Sequence, residues 1–568
     1  MASCLRNPLL LVLLTASAPR AQSVAAPRSL TQLLPETAVA TARSQGLWAA
    51  VTAAWPGWAW SRLPWRDLLA RWDGPGAAGL AKATAALQLV GTRERELLAD
   101  LLAGEVAAAA LPDGGRPGLL VLARTRHAEA LVDAARTLAR LAGATVQDAP
   151  RDADLAVAWR SGAALRVRDG LLVVATSATL ADAALWRWQS GTFVAQAPLP
   201  LPAPLALRLD LAQARALGGG TIGPAQAPLD VGGLLLALPA VATLRAASHL
   251  ELHLGVDARG VAVTLRAPLA LTGLDPDQRA LLLADDFVPA LVPELPGEVA
   301  AVSVRSSLPV LLARRRTLLR EADRPGAEQA LSVFALLFAG HPLEAQVLPA
   351  LRGGLHLVLG REDWDAMPAA PPLRLPTAAL VLGLRTPQLE RAFHAAFENA
   401  VRFGEGDRRR QGKLVFAVER DAVADVLLTT ARPRRPADRR DLPLDAGLTP
   451  TLTAAGGRVV LASSETLAGQ LVTAMAASPV AATPAATDLV ATLRVAGAGV
   501  VQALADARAA LVAQRLLDTG APRAEVESGL DALQQVVTGV RTLRGELCSD
   551  AAQGLTLRLA LALQEIAR

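Results

Sequence analysis

The chain has 568 residues, of which 52% are hydrophobic, 19% charged and only 3% aromatic. This excludes a disordered chain, which needs low hydrophobicity and high net charge, and leaves room for about two to four domains. The formal net charge is +5, all but two of the 57 Lys and Arg residues are Arg, and Tyr is absent; the basic isoelectric point thus reflects a gap in titrating groups, not a basic face, and no nucleic-acid partner is expected.

Residues 1–23 read as a secretory signal peptide. Arg6 supplies the positive n-region, Leu9 to Leu14 a short apolar h-region, and Ala16 to Ser23 a small-residue stretch suited to cleavage after Ser23 or Ala25. Cys4 precedes the apolar run, which speaks against a lipid anchor there, and the mature chain holds a single cysteine, Cys548. An internal disulfide is then impossible, so a periplasmic or extracellular protein must be stabilised by its core. Past the N-terminus the longest apolar candidate, Val231 to Leu244, is broken by Pro239 and stopped by Arg245, so no transmembrane span is expected once the signal is removed.

Leu34 to Ala40 opens the first strand. Behind it Trp48, Trp55, Trp58, Trp60, Trp65 and Trp72 crowd together with Pro56, Gly57 and Pro64. Indoles cover sheets well, and they also suit sugar stacking or a membrane interface, which makes these six the surface-binding candidates. Gly104-Glu105-Val106-Ala107 begins a strand, and His127 to Leu141 has helical spacing with Leu131, Ala134, Ala135 and Leu138 on one face. Asp169-Gly170 between two apolar runs marks a tight antiparallel hairpin, followed by a helix starting at Thr179. Gly218-Gly219-Gly220 reads as a linker.

His249, Glu251 and His253 alternate on the next expected strand and point to one face, where two imidazoles and a carboxylate could be offered to zinc. The alternative is an ordinary polar outer face, and no metal centre is assigned.

The second half repeats the first. Leu295 to Ala301 answers to Leu34 to Ala40, Gly353-Gly354-Leu355-His356 to Gly104-Glu105-Val106-Ala107, and Gly456-Gly457 with its following helix at Thr466 to Asp169-Gly170 and Thr179. Aligning Asp550 with Asp257 puts Thr542, Arg544 and Glu546 opposite His249, Glu251 and His253, and Cys548 opposite Gly255; polarity recurs while metal ligands do not. Gln388 to Val401 has helical spacing. The offset between the halves grows between Gly353 and Gly457, which locates an Arg- and Pro-rich insertion within 402–447. Its runs Arg408-Arg409-Arg410 and Arg432 to Arg440 read as exposed loops, with a basic patch contacting anionic polymer or membrane as the alternative. Glu362, Asp363 and Asp365 around Trp364 read as a solvated turn, with an acid pair or cation site as the alternative.

These elements predict an α+β fold: two tandem copies of a curved antiparallel sheet covered by helices, spanning 30–271 and 294–568. The Leu-Pro-x-x-Thr-Ala opening, the Gly-Glu-Val-Ala strand, the Asp-Gly hairpin running into a helix and Leu205 to Leu211 resemble the uncharacterised bacterial envelope proteins grouped as domain of unknown function 3352. The resemblance implies a secreted, repeat-built protein and no catalytic residues.

No G-x-S-x-G elbow, H-E-x-x-H, P-loop or C-x-x-C occurs. The expectation is therefore a non-enzymatic exported protein without cofactor, whose duplicated modules form a binding or scaffolding surface in the cell envelope. Its partners would be envelope carbohydrate, lipid or another envelope protein. A carrier of lipid or another apolar ligand, and a hydrolase of envelope polymers, are the alternatives.

Overall fold

The structure, a computed structural model, describes residues 29–64, 92–113, 116–141, 144–147, 153–191, 203–217, 247–268, 292–306, 308–364, 374–434, 448–477, 489–550 and 554–566. The signal segment, Trp65, Trp72, Gly218 to Gly220, Val231 to Leu244, Asp365 and Arg435 to Arg440 lie outside them. The chain divides into two compact units, one drawn from Met1–Gly223, Ala247–Pro268 and Glu565–Arg568, the other from Pro224–Ala246 and Leu269–Gln564.

The fold is α+β, and every strand pairing within each unit is antiparallel. The described strands of the first unit are β1 (Ala40–Gln45), β2 (Glu105–Asp113), β3 (Arg116–Arg124), β4 (Thr145–Gln147), β5 (Leu155–Ala158), β6 (Ala164–Arg168), β7 (Leu171–Ala175), β8 (Leu205–Asp210), β9 (His249–Asp257) and β10 (Gly260–Ala267). They lie side by side in the order β10-β9-β8-β1-β2-β3-β7-β6-β5-β4.

Those of the second unit are β11 (Glu298–Val304), β12 (Leu355–Gly360), β13 (Thr377–Gly383), β14 (Val415–Val423), β15 (Val426–Arg434), β16 (Thr451–Ala455), β17 (Arg458–Ala462), β18 (Leu489–Ala496), β19 (Val540–Asp550) and β20 (Gly554–Leu563). Their order is β20-β19-β18-β11-β12-β13-β17-β16-β15-β14, the order of the first unit with each strand moved on by ten.

Local chemistry explains the hairpins. Asp169 (φ 49°) and Gly170 (φ 74°) are both left-handed, as are Gly456 (61°) and Gly457 (73°), so two-residue turns join β6 to β7 and β16 to β17. Two successive positive φ angles match the twist of the flanking strands, and Gly adopts them at no steric cost. At Gly170 a Cβ would also fall 2.3 Å from the carbonyl oxygen of Thr125, so the position is closed to side chains twice over.

The helices that follow run over Ala178–Ser190 and Glu465–Ala477. They begin before Thr179 and Thr466, because Ser177 and Ser464 do the capping: their Oγ atoms accept from the amides of Leu180 (3.3 Å) and Leu467 (3.2 Å).

In the first unit, Leu120, Leu122, Leu171 and Val173 pack on one face of the sheet against Leu30, Leu33 and the Ala178–Ser190 helix. Val106, Ala123, Leu155 and Val167 pack on the other against Leu97, Leu101 and Leu131, Ala134, Ala135 and Ala139 of the Ala128–Leu141 helix. Burying each leucine of this kind contributes about 1.5–3 kcal/mol. In the second unit Val358, Val381 and Val460 lie under the Glu465–Ala477 helix and Leu384, Leu452 and Val459 under Glu390–Arg410.

Where they are described, the basic stretches expected as loops are regular structure. Arg408 to Arg410 form the last turn of the Glu390–Arg410 helix, and Arg432 and Arg434 belong to β15. Ion pairs four residues apart, Glu398 with Arg402 and Glu405 with Arg409, support the helix past its expected end. Arg432 is ion-paired with Glu419 across the β14–β15 hairpin (2.8 Å).

Candidate functional site

On β9, His249, Glu251 and His253 share one face, as their alternation predicts, but their neighbours argue for structure. Register places Arg208 of β8 and Arg266 of β10 directly opposite Glu251, and Arg208 lies 3.6 Å from its carboxylate. His249 Nε2 sits 3.3 Å from the same oxygen and its Nδ1 2.9 Å from Ser248 Oγ. Burial lowers the pKa of His253, Arg266 lowers it further, and Glu251 partly opposes them. A carboxylate already shared by an imidazole and the Arg208 guanidinium offers little to a divalent cation. Among the described residues no group of three His, Cys, Asp or Glu is placed to hold a metal ion.

The tryptophan segment splits by burial. Trp58 is 3% exposed and its indole N–H donates to the carbonyl of Ala258 (3.1 Å), in the β9–β10 turn, so it is a packing residue and leaves the group of surface candidates. Trp55 meets it edge-on at 6.1 Å between ring centroids, and Trp48, Trp55 and Trp60 are half-buried. Trp58→Phe keeps most of the apolar body and deletes the donor. Urea unfolding is expected to show a loss of about 1–2 kcal/mol; an unchanged midpoint would mean that Trp58 does not anchor the turn.

Glu362, expected in a solvated turn, is buried, with Oε2 lacking a hydrogen-bond partner, beside buried Trp364; Asp363 is exposed. Cys548 lies on β19 opposite Leu489 and Thr556, as its assignment to a strand predicts.

A cleft of about 380 Å³ in the second unit is lined by Arg374, Asp506, Arg508, Arg523 and Glu527 together with alanines and Val512. Its charges are largely spoken for: Asp506 pairs with Arg361, Arg508 with Asp531 and Arg523 with Glu527, each at 2.8 Å. Such a lining suits water and ions better than an acyl chain.

Sequence reasoning missed a polar row beneath the Glu465–Ala477 side of the second sheet. Ser303 of β11 faces His356 of β12, and Ser303 Oγ is 2.8 Å from His356 Nδ1. His356 is 2% exposed; burial, helped by the charge of Arg458, lowers its pKa to about 4. Arg458, at the start of β17, is itself buried, and desolvation lowers its pKa too. Arg305, just beyond β11, is also buried and donates its amide to Val490 O (2.7 Å). The signal available in the sequence was a lone His inside Leu355 to Leu359 and a lone Arg before Val459, each in an otherwise apolar strand.

Comparison with known protein families, with curated proteins and with solved structures returns no match. Among the described residues no helix is long and apolar enough to cross a membrane.

Proposed function

We propose that the protein is an exported, non-enzymatic component of the cell envelope, periplasmic or extracellular, whose two units are copies of one module and together supply a binding or scaffolding surface. The observation that carries this reading is the common strand order of the two units. Register supports it in detail. Ala107 pairs with Arg43 and Leu122 where His356 pairs with Ser303 and Val381, and Glu251 pairs with Arg208 where Arg544 pairs with Arg494. Ten-strand sheets repeated with different side chains at matching addresses suit a protein that presents surfaces, since one backbone can carry two recognition patterns. The half-buried Trp48, Trp55 and Trp60 suit contact with carbohydrate or lipid. The likeness to the envelope proteins of domain of unknown function 3352 agrees with this role.

Export is read from residues 1–23, and the test begins there. Protein recovered from its native envelope and weighed intact by native mass spectrometry should start at residue 24 or 26 and carry a non-covalent ligand or partner. An intact N-terminus in the cytosolic fraction would overturn the proposal.

A further inference from the structure

The edge of the polar row in the second unit holds two arginines that the fold leaves unanswered. Arg458 stands directly opposite Gly383 across the β13–β17 pair. On the other side of Gly383, Leu351 bridges to Leu384 and the amide of Arg352 donates to Gly383 O (2.8 Å), so Arg352 is the next residue along. Its side chain lies over the glycine: a Cβ built on Gly383 would meet Arg352 Cδ at 2.9 Å and Cβ at 3.0 Å. Two guanidinium-bearing chains thus flank one residue that has no side chain to separate them.

Arg458 is 6% exposed and its buried Nε has no hydrogen-bond partner. Arg352 is exposed and binds Leu384 O through Nε alone (3.2 Å). Among the described residues no carboxylate pairs with either. A buried unpaired charge costs several kcal/mol, so a fold that keeps one commonly keeps it for a ligand.

In the first unit the address of Arg458 is held by Leu171, and the arginines on the neighbouring strands each have a partner. Arg124, which pairs with Leu171 as Gly383 pairs with Arg458, lies over the Trp188 ring at 5.1 Å. Arg43, which faces Ala107 as Ser303 faces His356, is bound to Glu105 at 2.9 Å; that carboxylate also accepts from Ser29 Oγ (2.8 Å) and the amide of Leu30 (3.1 Å). Two steps along from His356 the second unit has Gly354, where the first has Glu105 two steps along from Ala107. The second unit therefore has a buried arginine where the first has Leu171, and no acid on the neighbouring strand β13.

We infer that Arg352 and Arg458 form a binding site for a small oxyanion, with Arg458 as the buried base of the site and Arg352 as its solvent-facing lip. Guanidinium groups bind carboxylate and phosphate through paired N–H donors, and these two arginines reach the same glycine from either side. His356 and Ser303 share the sheet face of Arg458 and add neutral polar groups to it, while Arg305 makes contacts of its own and adds positive potential. The site deepens the binding role proposed above through different observations, and it stands or falls independently of export.

The experiment is a melting-temperature titration of the full mature chain with sodium phosphate and, separately, sodium acetate, each against sodium chloride at equal ionic strength. One of the two oxyanions should raise the melting temperature saturably where chloride does not, and the one that does so at lower concentration identifies the class. Arg458→Leu, which installs the residue the first unit has as Leu171, should weaken the apparent affinity at least tenfold while the protein stays folded. Gly354→Glu, which restores the acid of the first unit, should weaken it likewise. If neither anion exceeds chloride, or if Arg458→Leu binds as the parent does, the site does not exist. A failed export test combined with an intact titration would remove the envelope role and keep the site.

Discussion

Gly497→Ala should cost the second unit more than about 3 kcal/mol, enough to remove much of a typical domain's stability. The Gly497–Asp506 helix starts directly against the sheet, and a Cβ at Gly497 would lie 1.9 Å from the carbonyl oxygen of Val540, at the start of β19. Two residues on, a Cβ at Gly499 would lie 2.2 Å from the carbonyl oxygen of Glu298 in β11. Both obstacles are backbone, fixed by strand pairing, so the helix would have to lift off instead of a side chain turning away. Gly469→Ala is the control of opposite sign: it sits inside the Glu465–Ala477 helix with nothing within 4 Å of its Cβ position, and alanine there should stabilise by about 0.5–1 kcal/mol. Urea unfolding of both variants checks the pair. A Gly497→Ala protein within about 0.5 kcal/mol of the parent would show that the helix is not seated on that strand.

This contrast marks what a single sequence discloses. Asp169-Gly170 and Gly456-Gly457 announced their hairpins because left-handed turns draw on few residue types, and the Ala128–Leu141 helix was legible from its apolar spacing. Gly497 and Gly499 carried no such mark, since a glycine needed for close approach looks like any other until the approaching strand is known. The helix starts were misplaced by a residue or two because Ser177 and Thr179, or Ser464 and Thr466, are equally good caps on paper. The loop reading failed at Arg408 to Arg410, Arg432 and Arg434 for a different reason: arginines look like solvated loop, while the acid partners in these elements, Glu398, Glu405 and Glu419, support helix and strand.

The sites divide in the same way. His249, Glu251 and His253 were found because they are close in sequence, while Arg208 and Arg266, which stand opposite Glu251, come from the neighbouring strands β8 and β10. His356 and Arg458 went unnoticed because each is alone in its strand, and only the pairing of β12 with β13 and of β13 with β17 brings them together. Register, which joins residues far apart in the chain, is the information that local reading lacks.

His356 should make the second unit acid-labile from about pH 6.5 downward, before most carboxylates begin to titrate. In the folded chain its pKa is about 4, against 6.5 when solvated, because the buried ring would have to be charged beside Arg458. Between those values the unfolded chain binds a proton that the folded chain refuses, so acid favours unfolding. The stabilisation is complete above pH 6.5 and is lost as pH falls toward 4, with a total of about 3 kcal/mol at 1.36 kcal/mol per pKa unit. His394 acts in the same direction: burial lowers its pKa, Arg420 adds to the effect and Glu398 opposes it, while its Nδ1 lies 2.7 Å from Thr429 Oγ1. His356→Gln retains a group able to meet Ser303 and cannot take up a proton. Stability measured by urea unfolding at pH 7 and pH 4 should therefore fall less in the variant than in the parent, by about 3 kcal/mol. Parallel pH profiles for the two proteins would mean that the imidazole is not held neutral beside Arg458.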